Sequence, residues 1–331
     1  MQKTNIAING FGRIGRNLFR LLLNHPTIEV VAINDLADVK TMAHLLKYDS
    51  IHGILKEDVN FDEKNLIVDG KKISYYSEKN IENLNWSGID FVIESTGKFK
   101  TYQAAQAHLN AGAKKVILSA PPEDDRIKTV VMGVNESILD GTETIISNAS
   151  CTTNNAAPMI KIIDELCGIE QAYITTVHSY TTDQSLHDQP HHDLRRARGA
   201  AQSIVPTTTG AAKALTKIFP KLEGKLGGSG IRVPVPNGSL TDITCYVSKV
   251  VTIDEINAAF LKASQNELKS ILAYTEAPIV SVDIIGNSHS CLFDAQLTST
   301  IDKMVKVVGW YDNEIGYSSR IIDLITYISN K

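Results

Sequence analysis

Through the first half of the chain, short runs of β-branched and aliphatic residues alternate with apolar residues at helical spacing. The strand-like runs are Asn5–Asn9, Glu29–Ile33, Phe91–Glu94, Lys115–Ser119 and Thr144–Ser147. Between the first two lies Asn17–Leu23, apolar along one helix face, and between Glu94 and Lys115 lies the alanine-rich Thr101–Ala111. Such alternation predicts an α/β unit, a parallel sheet covered on both faces, because parallel neighbours need a crossover long enough to hold a helix. After Ser150 the texture changes. A helix is predicted from Thr152 to Leu166, with Ala156, Met159, Ile160, Ile163 and Leu166 on one side. The later runs Tyr173–His178, Ile231–Pro234, Leu240–Val251 and Met304–Trp310 are rich in Thr and Val and read as antiparallel strands of an α+β unit. The polar stretch from Ser179 to Arg198, dense in His, Asp and Arg, predicts a functional or interfacial loop. Ile315–Ser329 reads as a helix that packs back on the first unit. The expected division is therefore residues 1–149 plus the helix 314–331, and residues 150–313.

Composition adds little to this picture and removes several alternatives. The chain has 331 residues, enough for two domains, with 43% hydrophobic and 21% charged residues, the balance of an ordinary globular protein. Its net charge of −4 gives no general electrostatic reason to expect nucleic acid or an anionic membrane as a partner. The four cysteines, at 151, 167, 245 and 291, have neither paired nor C-x-x-C spacing. They fit a reducing compartment and suggest neither a disulfide framework nor a metal site. The N-terminus runs straight into Ile6-Ala7-Ile8, without the basic segment and long apolar stretch of a secretory signal, and no apolar run approaches membrane-span length. A cytoplasmic location is the expectation.

The first candidate site is Gly10-Phe11-Gly12-Arg13-Ile14-Gly15, a G-x-G-x-x-G between a strand and a helix. Gly10 would make the tight turn, Gly12 would let a pyrophosphate approach the backbone, and Gly15 would let helix and strand pack closely. A second strand ends at Asp35, where a carboxylate accepts from an adenosine ribose hydroxyl and repels a 2′-phosphate. Together these predict a Rossmann-type domain that prefers NAD to NADP. Thr96-Gly97 and Ser119 each follow a predicted parallel strand, the edge where ligands gather.

The second candidate site is Cys151, in Ser147-Asn148-Ala149-Ser150-Cys151-Thr152-Thr153-Asn154, where a strand gives way to a helix. The positive end of a helix favours thiolate over thiol, and the surrounding hydroxyls and amides can cap the helix or hold an anion. A cysteine nucleophile works best beside a base. His178 ends a strand and is one candidate; His187, His191 and His192 compete with it.

These motifs together resemble phosphorylating glyceraldehyde-3-phosphate dehydrogenase. The likeness is carried by Asn9–Arg16, Ser147–Asn154, Thr-Val-His-Ser-Tyr-Thr at 176–181, Asp-Leu-Arg-Arg-Ala-Arg at 193–198 and Pro-Thr-Thr-Thr-Gly-Ala-Ala-Lys at 206–213. Arg-Val-Pro-Val-Pro-Asn at 232–237 and Trp-Tyr-Asp-Asn-Glu-Ile-Gly-Tyr-Ser at 310–318 complete it. The resemblance spans essentially the whole chain. It implies oxidation of glyceraldehyde 3-phosphate with NAD and inorganic phosphate, through a thioester on Cys151 with His178 as base, in glycolysis or gluconeogenesis. It further implies a substrate-phosphate site at Thr181 and Arg232, with Asp183 orienting Arg232. The attacking-phosphate site would be Ser150, Thr152, Thr209, Gly210 and Arg196, with the adjacent Arg195 a possible substitute. Cofactor contacts are implied at Gly10, Gly12, Arg13, Ile14, Asp35, Lys79, Thr96, Ser119, Asn313 and Tyr317. Asn313 would bond the nicotinamide carboxamide, and in the family's homotetramer the 179–198 loop would border a neighbour's cofactor site.

Some positions depart from the family pattern. Asn155 stands where bacterial members often carry a second cysteine, and Lys79 where arginine is usual near the adenine. Gln189 and His192 also differ, whereas Pro190 keeps the NAD-type pattern. Erythrose-4-phosphate dehydrogenase is the close alternative, since it shares the nucleophile but hydrolyses its thioester. Aspartate-semialdehyde dehydrogenase would leave Thr181 and Arg232 unexplained, and a binding-only protein would leave the catalytic set unexplained.

Overall fold

The computed structural model describes residues 3–331. The fold divides into two compact units. The first comprises the described residues up to Val130, Ser137–Ala149 and Ser318–Lys331; the second comprises Val131–Glu136 and Ser150–Tyr317.

The first unit is built on a nine-stranded sheet. Its order is Lys128–Thr129, Ile145–Ser147, Lys115–Leu118, Phe91–Glu94, Thr4–Asn9, Ile28–Asn34, Lys71–Tyr76, Asn65–Val68 and Val59–Phe61. The first seven pair in parallel, and the last two add an antiparallel edge. The central strands are uniformly apolar because both faces are covered: Ile6, Ala7 and Ile8 have no exposed surface. Trp86, Leu84, Ile81 and Ala113 pack with Ala7, Ala32 and Val92 in one cluster; Ala105 packs with Val116, Leu118, Ile127 and Ile145 in another. The chain leaves the first strand toward Ile28–Asn34 on one side and returns at Phe91–Glu94 on the other. That reversal of strand order opens a crevice at the C-terminal strand ends, where Gly10, Asp35, Thr96 and Ser119 all lie.

The second unit is an eight-stranded sheet. Its main path runs Val205–Thr207, Leu226–Val233, Ile169–Ser179, Ser239–Val247, Met304–Tyr311, Cys291–Asp294 and Leu272–Thr275, with Ser299–Ile301 paired to Met304–Tyr311. Most neighbours are antiparallel, as expected. One expectation fails, since Ile169–Ser179 and Leu226–Val233 run parallel; a second parallel pair, Leu272–Thr275 with Cys291–Asp294, involves strands that the pattern did not predict. The helix Ala211–Ile218 lies in the connection between the first of these pairs and supplies the crossover that a parallel neighbour requires. The strand expected to reach Val251 ends at Val247, and the helix Ile253–Gln265 follows, opened by a reciprocal cap between Thr252 and Glu255. The helix Cys151–Cys167 packs on the sheet through Ala156, Met159, Ile160 and Ile163, all fully buried; Leu166 is only half-buried, and Cys167 takes the inward place beside it.

Among the described residues no helix is long and apolar enough to cross a membrane.

Candidate active site

The glycine-rich turn has the geometry of an anion cradle. Gly10 adopts φ +96° and donates to the Asn34 carbonyl at 2.8 Å. A Cβ there would stand 2.7 Å from the Thr96 backbone nitrogen, and one at Gly15 would stand 2.3 Å from the Gly10 carbonyl oxygen. Gly12 caps the helix Arg13–Leu22 without a side-chain hydrogen bond, and the space beside its α-carbon is open. The N–H groups of the first helical turn, Ile14 among them, therefore face outward without a side-chain cap, which suits a pyrophosphate. The Asp35 carboxylate accepts from the Phe11 amide at 2.7 Å and the Ala37 amide at 3.0 Å, which fixes it against the same turn. The Arg13 guanidinium turns to Asp49 at 2.5 Å, leaving its backbone as the part that faces an anion. Lys79 is exposed and directly follows the half-buried Glu78, whose backbone the Asn34 side chain ties down.

Glu94 escaped the sequence reading, although an acidic residue ending the apolar Phe91-Val92-Ile93 run is the signal for it. Its buried carboxylate accepts from Asn9 Nδ2 at 2.6 Å, His108 Nε2 at 3.1 Å, the Thr96 amide at 2.8 Å and the Thr96 hydroxyl. Trp86 Nε1 donates to His108 Nδ1 at 3.0 Å, so the remaining His108 N–H must point at Glu94. This network fixes the Thr96 loop against Gly10, and Ser119 donates its amide to the Glu94 carbonyl at 2.9 Å. Gly10→Ala forces a side chain into a positive φ and onto the Thr96 backbone. It is expected to destabilise the fold by about 1–3 kcal/mol and to weaken dinucleotide binding, measured by thermal unfolding and by calorimetric titration.

In the second unit, Ser150 caps the helix that begins at Cys151, its hydroxyl accepting from the Thr153 amide at 3.1 Å. The amides of Cys151 and Thr152 are left to face the sulfur, and both act to stabilise a thiolate. Cys151 Sγ lies 3.4 Å from His178 Nε2, within reach for proton transfer. The other three cysteines are buried, with burial pushing the Cys167 thiol up to about 11 and the Cys245 thiol up to about 12. Of the histidines in play, His178 is the one that meets the nucleophile; His191 stacks on His192 and faces Asp183.

The far side of the His178 ring is equally constrained. Nδ1 sits 2.8 Å from the Ser179 carbonyl and 2.6 Å from Arg232 Nη1, which also donates to that carbonyl at 2.9 Å. With Nδ1 protonated, the ring donates to Ser179 and leaves Nε2 free to take the thiol proton. With Nδ1 bare, Arg232 donates to it and Nε2–H becomes a donor for sulfur or for an oxyanion. Both tautomers are thus supported, one for each role. Burial, then the Arg232 charge, holds His178 down to about 3, so the ring is neutral at physiological pH. Burial raises the Cys151 thiol, and Arg232 opposes that rise. Tyr311 walls the site: its hydroxyl meets Thr152 Oγ1 and Thr176 Oγ1, each at 3.0 Å, and its ring stands edge-on to His178.

The expected pairing of Asp183 with Arg232 is not found. The Asp183 carboxylate meets Arg196 and His191 instead. The reason is register: Arg232 lies directly opposite His178 in the parallel ladder, so its side chain is committed there. Arg196 also reaches Thr207 Oγ1 at 3.0 Å and the Thr208 carbonyl at 3.4 Å, which turns it toward the Thr207–Gly210 segment. Arg195 is exposed, and Arg198 pairs with Asp188, so Arg196 is the member of the cluster held at that segment. Thr209 Oγ1 accepts from the Ala211 amide at 3.2 Å, and Gly210 opens the helix Ala211–Ile218 without a side-chain cap. Thr181 is half-buried at the start of the loop. Asn313 Oδ1 accepts from the hydroxyls of Ser179 and Ser239, and Tyr317 is buried in the helix that follows. Among the described residues no group of three or more His, Cys, Asp or Glu side chains is arranged to hold a metal ion.

Comparison with known proteins agrees with this chemistry. Residues 4–102 match the family model described as glyceraldehyde 3-phosphate dehydrogenase, NAD binding domain, and residues 150–313 match that described as its C-terminal domain. The glyceraldehyde-3-phosphate dehydrogenase of Geobacillus stearothermophilus is 55% identical, with 98% of each chain covered. That of Streptomyces coelicolor is 54% identical over 98% of each chain, and glyceraldehyde-3-phosphate dehydrogenase 1 of Bacillus cereus is 51% identical over 99% of each. Matched in both of its parts and along its full length, the chain belongs to the NAD-dependent glyceraldehyde-3-phosphate dehydrogenase family.

Proposed function

We propose that this enzyme oxidises D-glyceraldehyde 3-phosphate and captures the product as the acyl phosphate 1,3-bisphosphoglycerate, with Cys151 as the nucleophile and His178 as the base. The observation that carries the reading is the contact between Cys151 Sγ and His178 Nε2 at 3.4 Å, at a helix start and beside Arg232. His178 takes the thiol proton, and the sulfur adds to the aldehyde carbon to give a hemithioacetal. The Cys151 amide and the protonated Nε2 are the donors available to the oxyanion. His178 then removes the hemithioacetal hydroxyl proton as the C–H bond gives up its hydride, and a thioester remains on Cys151. Bound NAD supplies the hydride acceptor. A phosphate oxygen next adds to the thioester carbon, the C–S bond breaks, and the acyl phosphate leaves with Cys151 regenerated as thiolate.

Thr181 and Arg232 would hold the substrate's phosphate; Ser150, Thr152, Arg196, Thr209 and Gly210 would hold the attacking one. Hydroxyls, a glycine amide and guanidinium forks match phosphate oxygens. Asp183 acts on Arg196 in this account, and an incoming phosphate competes with it for that guanidinium. Gly10, Gly12, Asp35, Thr96, Ser119 and the backbone of Arg13 and Ile14 would hold NAD, with Lys79 near the adenine and Asn313 and Tyr317 near the nicotinamide. We extend the reading to a homotetramer in the cytoplasm, a reading supported by exposed Leu186 and Leu194 on the 179–198 loop and by four unpaired cysteines.

The test is a set of initial rates with NAD or NADP, glyceraldehyde 3-phosphate or erythrose 4-phosphate, and with or without phosphate. NADH formation from the triose should require phosphate or arsenate. Full turnover without either would replace phosphorolysis by hydrolysis and favour the erythrose 4-phosphate enzyme.

A further inference from the structure

Asn313 stands two residues beyond the strand Met304–Tyr311, and its side chain is almost completely buried. Two hydroxyls converge on its carbonyl oxygen: Ser179 Oγ at 2.9 Å and Ser239 Oγ at 2.8 Å. They arrive from different strands. Ser179 is the last residue of Ile169–Ser179, and Ser239 is the first of Ser239–Val247, paired with Tyr311 in the antiparallel ladder.

The direction of these bonds is forced by counting donors. Ser239 Oγ already accepts the Ser179 backbone N–H at 3.1 Å, so its own hydrogen is available to give away. The acceptor it finds is Asn313 Oδ1. Were the amide turned over, Nδ2 would donate to the same oxygen, and the Ser239 hydrogen would lose this acceptor. The backbone beside the amide is pinned as well. The Asp312 carboxylate, fully buried, accepts from Asn237 Nδ2, the Gly286 amide and the amides of Glu314 and Ile315, at 2.7–2.9 Å.

We infer that Ser179 and Ser239 are positioning residues that lock the Asn313 side chain in one orientation, so that its Nδ2 hydrogens rather than its oxygen are offered to the cofactor. A carboxamide ring substituent needs a donor for its carbonyl oxygen, and a locked donor selects one rotational state of the nicotinamide. The ring face that receives hydride is then set by two serine hydroxyls that act through the Asn313 oxygen they bond. This inference rests on the dehydrogenase reading above, since it concerns the same cofactor.

The test compares NAD with ADP-ribose, which has every part of the cofactor except the nicotinamide. Calorimetric titrations are run on the full-length wild type, on Ser179→Ala, on Ser239→Ala and on the double variant, with thermal unfolding alongside. The double variant should bind NAD about tenfold more weakly, equivalent to about 1.4 kcal/mol, and bind ADP-ribose as the wild type does. Reduction with a C1-deuterated aldehyde should place deuterium on one face of the ring in the wild type and on both faces in the double variant. Ser239→Thr, which keeps the hydroxyl, should restore both properties. Equal losses for NAD and ADP-ribose would reduce the serines to a general structural role and overturn the lock. So would unchanged NAD affinity and a single labelled face in the double variant. Wild type that binds neither ligand would instead bring down the dehydrogenase reading, and the lock with it.

Discussion

Cys151→Ser is expected to lose at least about 10⁴ in kcat while still binding NAD. The oxygen would occupy the same helix start, facing the same amides and the same His178 ring. A serine hydroxyl is nevertheless far less acidic than a thiol, and an ester exchanges its acyl group more reluctantly than a thioester. The site offers little to offset this. It has a neutral imidazole and a nearby guanidinium, and no carboxylate is hydrogen-bonded to the far side of the imidazole, where the Ser179 carbonyl and Arg232 lie. Cys167, Cys245 and Cys291 cannot substitute, because each is buried with its thiol pushed up. Progress curves of NADH formation, with a titration to verify cofactor binding, measure the loss. Turnover near that of the wild type would rule out covalent catalysis.

His178→Asn should lower kcat by about 10²–10⁴, the usual contribution of a positioned general base. It should also slow alkylation of Cys151 by iodoacetamide at neutral pH, because the thiolate loses its Nε2–H donor. A drop in kcat with unchanged alkylation would assign His178 to the later proton transfer alone. The same variant carries a stability signature whose sign follows from burial. His178 has an ordinary value of 6.5 and is held to about 3 by burial and by Arg232. Between those values the unfolded chain binds a proton that the folded chain does not, so folding stability falls as pH drops from 6.5 toward 3. His178→Asn removes that dependence, and its denaturant midpoint should vary less across this window than the wild type's.

Much of the architecture was legible because the physical signals were local. A run such as Ile6-Ala7-Ile8 followed by glycines at 10, 12 and 15 specifies a buried strand, a tight turn and an uncapped helix start. Cys151 was legible for a similar reason, since Ser150 announces a helix cap in the adjacent position. The antiparallel edge formed by Val59–Phe61, Asn65–Val68 and Lys71–Tyr76 was not, because these strands are short and carry exposed polar and charged residues that blur the alternation. The parallel pairing of Ile169–Ser179 with Leu226–Val233 leaves no local signal, because strand direction is set by the crossover between them. The helix that makes the crossover, Ala211–Ile218, is only 8 residues long and overlaps the phosphate-type motif Thr207–Lys213, so its helical periodicity has little length to show in.

Within the site, the family resemblance misled once. Asp183 and Arg232 looked like partners, but the ladder sets Arg232 opposite His178 and leaves Asp183 to Arg196. No spacing rule distinguishes one arginine from another across about fifty residues, because sheet register is decided by long-range pairing. Glu94, Tyr311 and the two serines on Asn313 were missed for the same reason. Each acts through atoms distant in sequence: Glu94 on Asn9, Tyr311 on Thr152, and Ser179 on Asn313.

The central claim is that oxidation passes through an acyl group on Cys151. Its most direct measurement is mass spectrometry of the enzyme mixed with glyceraldehyde 3-phosphate and NAD in phosphate-free buffer, followed by peptide mapping. The account predicts one 3-phosphoglyceroyl group per chain, on the peptide bearing Cys151, discharged when phosphate is added and absent from Cys151→Ser. NADH formed in amounts equal to the enzyme with no acyl group on Cys151, or an acyl group on another residue, would contradict it.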